Sequence, residues 1–100
     1  MYFDNTEVCE IKIANDNDDL DILLLDKNSN VLCKPSIKPI NKSKNDKIVC
    51  INDCVYNDVF TDLVELGIIS VPIGYVSDIN FEYPLCKVNF DIIKEYNRRH

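Results

Sequence analysis

Glycine, alanine, tryptophan and histidine are nearly missing from this chain: two glycines, the single Ala14, no tryptophan and only the terminal His100 in 100 residues. With Gly67 and Gly74 standing apart, no Gly-rich loop can expose consecutive backbone N–H groups to a phosphate. One histidine leaves no imidazole to pair with a nucleophile inside the chain, and no second pair of ligands to complete a zinc site begun by Cys50 and Cys54. No apolar run approaches the roughly 18 residues of a membrane span. Met1-Tyr2-Phe3-Asp4 lacks the basic and apolar regions of a secretory leader, so a cytoplasmic location is expected.

What is present suffices for a folded domain. Hydrophobic residues make up 46% and charged residues 28% of the sequence, ordinary values for a globular chain. At this length about 60 to 65% of the unfolded surface can be buried, and a single domain over 1–100 is expected. The abundance of Asn, Ile, Lys and Asp beside the scarcity of Gly and Ala is what AT-rich codons produce, which points to a low-GC bacterium or one of its mobile elements. Cys9, Cys33, Cys50, Cys54 and Cys86 are odd in number, and a reducing compartment predicts free thiols, most of them buried as small hydrophobes.

Charge is segregated along the chain. Residues 1–30 carry eight acids against Lys12 and Lys27. Residues 31–50 carry Lys34, Lys38, Lys42, Lys44 and Lys47 against Asp46, and residues 51–100 carry eight acids against four bases. A net charge of −6 repels the phosphates of nucleic acid. The Lys-rich stretch holds no aromatic residue for stacking on bases and reads as a solvated loop.

Alternation through Cys9-Glu10-Ile11-Lys12-Ile13 predicts a half-buried strand. The apolar run Leu20–Leu25, the turn residues Asp26-Lys27-Asn28-Ser29-Asn30 and the extended stretch Val31–Ile37 predict a hairpin, with Pro35 and Pro39 at a sheet edge. Residues 38–47 read as a loop and Lys47–Ile51 as a strand. Asn52-Asp53 offers an N-cap, Val55, Val59, Leu63 and Leu66 follow helical spacing, and Gly67 stands where a left-handed C-cap belongs. Ile68–Ile73 reads as extended and Phe81–Phe90 as a strand. Asp91–Tyr96 closes the chain as a helix, with Arg98, Arg99 and His100 at its negative end. The expected fold is α+β: a small, mostly antiparallel sheet with one central helix, about 53–66, and a short C-terminal helix.

The segment Ile51-Asn52-Asp53-Cys54, a helix ending at Gly67, Gly74-Tyr75, and Tyr83-Pro84-Leu85 followed by Val88 and Asn89 resembles a YodL-like family of small uncharacterised proteins from Firmicutes plasmids, prophages and conjugative elements. The likeness covers residues 48–91. It implies a β-rich accessory protein of a mobile element, without known chemistry.

Asn15, Asn17, Asp19, Asp21 and Asp26 superficially space like a calcium loop, but Leu20 stands where that loop demands glycine. Neither metal nor cofactor is expected, and no nucleophile, base and orienting group can be assembled for an enzyme. The leading expectation is a non-catalytic anti-defence inhibitor that binds a host protein, such as a nucleic-acid-targeting CRISPR component. Its carboxylates would occupy a basic channel built for phosphates. The candidate contacts are Asp16, Asp18, Asp19 and Asp21, with Asp58, Asp62 and Glu65 on the helix. The alternative is an oligomeric module that sequesters a nucleotide signal through Gly74, Tyr75, Tyr83 and Lys87; a small enzyme is the third class. Direct contact with nucleic acid or membrane is not expected, and a homodimer stays open.

Overall fold

A computed structural model describes Met1–His100. Two hairpins near its start are closed by pairs of non-glycine residues in the left-handed region. Asp4 and Asn5 (φ 50° and 64°) join β1 (Tyr2–Phe3) to β2 (Thr6–Glu7), and Asn17 and Asp18 (φ 52° and 63°) join β3 (Glu10–Asp16) to β4 (Asp19–Leu25). Two successive left-handed residues are the signature of the type I′ turn, whose twist suits a two-residue hairpin, and Asn and Asp tolerate it best after glycine. The Asn15–Asp19 cluster is therefore the tight tip of a long hairpin that pairs Glu10 with Leu25 through to Asp16 with Asp19.

β5 (Val31–Cys33) pairs with β4 through the predicted turn, where the Asp26 carboxylate accepts from the backbone N–H groups of Asn28 and Asn30 at 2.8 and 2.9 Å. Pro35 then ends that pairing. The stretch expected to be one strand from Val31 to Ile37 splits, and β6 (Ser36–Ile37) joins a second sheet. That sheet has the order β6-β7-β9-β8, with β7 at Ile48–Ile51, β8 at Gly74–Ser77 and β9 at Glu82–Lys87. Pro84 sits inside the inner strand β9, and the β7–β9 pairing runs from Ile48–Lys87 to Cys50–Leu85, stopping just short of the residue that has no N–H. All strand pairs are antiparallel, and three sheets stand where one was expected.

α1 spans Asn57–Glu65, shorter than the expected 53–66. Residues 53–55 form turns ahead of it, with Asn52 Oδ1 accepting from the N–H of Val55, and Val55 and Leu66 are exposed where the longer helix would have buried them. Its end is as expected: Gly67 takes φ 77°, its N–H reaches the Val64 carbonyl, and the N–H of Ile68 reaches that of Leu63. This double closure is a Schellman cap. Ile68–Ile73 forms no strand, only a bridge from Ile69 to Val88. α2 runs from Phe90 to Arg99, with Asn89 accepting from the Ile92 N–H as its N-cap.

The core gathers Ile11, Leu20, Ile22 and Leu24 from the first three-stranded sheet and Val49, Ile51 and Cys86 from the second. Val59 and Leu63 of α1 and Ile93 and Tyr96 of α2 complete it. α2 is also tied to β3 by polar groups. The Asn97 side chain accepts from the Ile11 N–H at 2.8 Å and donates to the Ile11 carbonyl at 2.9 Å, and the Tyr96 hydroxyl donates to the Val8 carbonyl.

Candidate functional site

Asp19 and Asp21 of the β3–β4 hairpin tip do not project freely. Residues 38–47 form the expected irregular loop, but it folds back over the tip and brings its lysines to the carboxylates. Lys42 Nζ lies 2.6 Å from Asp19 Oδ1 and donates to the Ser43 carbonyl at 3.2 Å; only 2% of its side chain is exposed. Lys38 Nζ sits 3.2 Å from Asp21 and 3.7 Å from Asp16. The hydrogen bond to Asp21 holds the Lys38 ammonium above its ordinary range. The Ser36 hydroxyl donates to Asp21 at 2.8 Å while accepting from the buried Ile22 N–H at 2.9 Å, which stitches the two larger sheets together.

Two expectations are corrected here. Asp19 is a buried partner of Lys42 and Asp21 is largely covered, so neither is a free contact residue; Asp16 and Asp18 remain exposed. The Lys-rich stretch is not merely a solvated loop, since Lys42 lies in the interior. The sequence carried a signal for this in its alternating acid, base and acid blocks, which attract one another once the chain turns back. Periodicity, which reads neighbours along one element, does not register such a pairing.

On α1 the situation is different. Asp58, Asp62 and Glu65 recur at helical spacing, Asp58 and Glu65 exposed and Asp62 half-buried, and none of the three takes part in an ion pair. Asp58 lies in the first turn, where the helix dipole favours a negative charge.

The residues considered for a nucleotide pocket separate. Side chains alternate across a strand, and cross-strand partners share a face. Tyr75 lies opposite Pro84 on one face, whereas Gly74 opposite Leu85, Tyr83 opposite Val76 and Lys87 opposite Ile48 lie on the other. Tyr83 is buried against Phe81 at 6.1 Å between ring centres, and burial raises its hydroxyl pKa. A groove of about 740 Å³ between the end of α1 and the start of α2 includes Lys87 but neither tyrosine.

All five cysteines are free, and Cys33, Cys50 and Cys86 are buried. Burial pushes these thiols up to about 11, about 11 and about 12, which makes them poor nucleophiles at neutral pH. Cys54 is exposed and precedes α1 by three residues. No three His, Cys, Asp or Glu side chains converge in a metal-binding arrangement, and no helix is long and apolar enough to cross a membrane. No protein-family model, curated protein or solved structure matches the chain.

Proposed function

We propose that this chain is a non-catalytic accessory protein of a phage or other mobile element. It binds and inhibits a host protein whose basic channel is built for nucleic-acid phosphates, such as a component of a CRISPR-type defence system. The mobile-element setting rests on composition and on the resemblance to the YodL-like family. The inhibitory mode rests on one observation above all: Asp58, Asp62 and Glu65 line α1 without any basic side chain of the chain itself to neutralise them. A rigid helix holding carboxylates on successive turns offers a spaced row of negative charge, which steers association with a basic surface. With Asp19 and Asp21 taken up internally, the hairpin tip contributes at most Asp16 and Asp18, and the helix face is the principal contact.

The test begins by recovering the bound protein from a bacterial lysate and repeating the association with both components purified. Binding is expected to weaken from low to physiological salt, and free nucleic acid should compete for the partner. Reversing Asp58, Asp62 and Glu65 together to Lys should abolish it, with circular dichroism unchanged. Equal affinity of the reversed protein, or indifference to competing nucleic acid, would overturn the reading.

A further inference from the structure

Each larger sheet has two outer strands, and β3 of one and β8 of the other are treated differently. On β3 the backbone of Ile11 is closed by the Asn97 amide. On β8 nothing comparable covers the centre. No charged residue lies between Glu65 and Asp78, so β8 lacks the lysines that commonly keep an edge strand from pairing. Around it Val71, Tyr75 and Ile79 are 66%, 60% and 94% exposed, and Ile73 and Phe81 are each half exposed.

The hydrogen-bonding phase of β8 follows from its partner. Pro84 faces Tyr75 and has no N–H, and the Asp78 N–H donates to the Phe81 carbonyl at 2.7 Å. The mutual bonds of this ladder therefore fall on Val76–Tyr83, and at the Gly74 end the Leu85 carbonyl accepts from the Ile73 N–H at 2.8 Å, leaving the N–H and C=O of Tyr75 and Ser77 directed away from the sheet. The Asn41 amide, donating to the Ser77 carbonyl at 3.1 Å, confirms that direction and occupies one of these groups. Tyr75 is left as the residue of β8 with both its outward backbone groups free.

We propose that β8 pairs with β8 of a second copy, antiparallel about a two-fold axis at Tyr75, to make one continuous eight-stranded sheet. The argument for a second copy is electrostatic and geometric. A chain of net charge −6 repels itself over most of its surface, and this uncharged edge is where two copies can meet. Two-fold pairing at Tyr75 sets Asp78 against Pro72 of the other copy, not against its own counterpart. It also sets the two Tyr75 rings side by side on one face, where aromatic cross-strand pairs are favourable. The inference is independent of the acidic helix face, whose failure as a binding surface would leave it standing.

Analytical ultracentrifugation over a dilution series, from sub-micromolar to near-millimolar, tests it. The mass is expected to rise to twice the 11.5 kDa of one chain at high concentration. Tyr75→Pro removes an outward N–H without touching the bonds to β9, and Tyr75→Lys sets two like charges across the axis; each folded variant should remain at 11.5 kDa. If either variant fails to fold by circular dichroism, the other decides. Isotope-filtered NMR on a mixture of labelled and unlabelled native protein should show contacts between the Tyr75 residues of the two copies. A native chain that stays monomeric throughout, a folded variant that still dimerises, or a native dimer without the Tyr75 contact would overturn the proposal.

Discussion

The hairpin tip and the first helix carry carboxylates in similar number, yet the tip engages Asp19 and Asp21 with the chain's own lysines while the helix leaves its acids without a basic partner. At the tip, Lys38 and Lys42 reach across from the following loop, and Asp19 becomes part of the interior. On α1 Asp58 and Glu65 are exposed, Asp62 is half-buried, and none of the three has a basic partner. The difference teaches that an acidic residue count says little about available charge. What matters is whether a basic segment can fold back to each acid, and a strand tip beside a long loop permits this where a helix face does not.

The sharpest way to break the comparison is to remove one partner from each region. Asp19→Ala leaves the Lys42 ammonium buried without a counter-ion, which should cost about 3 to 5 kcal/mol in urea unfolding. Asp58→Ala should fall within about 0.5 kcal/mol of the parent. If both changes were equally mild, the Lys42–Asp19 pair would not be sealed from water.

Ser36→Ala comes next. It strips the acceptor from the buried Ile22 N–H and a donor from Asp21, and an expected loss of about 1 to 3 kcal/mol should appear as a lower thermal midpoint. On the helical side, Gly67→Ala has open space for its methyl group, so only the left-handed backbone at φ 77° opposes it. About 1 kcal/mol, or roughly 4 to 8 °C in melting temperature, is expected. A smaller shift would mean the Schellman cap relaxes.

The smallest effect distinguishes a third use of an acid. Backbone N–H bonds, that of Asn30 foremost, hold the Asp26 carboxyl below its ordinary range. A depressed folded-state pKa stabilises the fold above the unfolded value of about 4 and loses that contribution as the pH falls further. Asp26→Asn should therefore flatten the acid end of the stability profile slightly, and a profile that steepens would contradict the assignment.

Much of the fold was legible because its signals are local. The alternation of Cys9–Ile13, the turn chemistry of Asp26–Asn30 and the left-handed demand at Gly67 each act within a few residues, and each lies where the pattern places it. The start of α1 was misread because Asn52 and Asp53 offer caps, yet the chain completes turns over residues 53–55 before the helix begins. The sheet change at Pro35 and the short β1–β2 hairpin depend on distant packing. Asp58 and Glu65 of α1 lie on its exposed side as helical spacing predicts, with Asp62 half-buried beside them. Of the hairpin acids, Asp16 and Asp18 are exposed as expected, but Asp19 and Asp21 are not, because their fate depends on lysines some twenty residues later.

The Asn97 clamp on Ile11 has a consequence for the history of the chain. Its two bonds join residues 86 positions apart, so their loop is among the longest this sequence can close, and closure carries a correspondingly large entropic cost. During synthesis the β3–β4 hairpin can form as soon as Leu25 has emerged, but its outer rim stays bare until Asn97 has been made. Through most of translation the edge that the mature protein guards best is the one most open to trespass, and a chaperone that recognises bare strands would find its purchase there first.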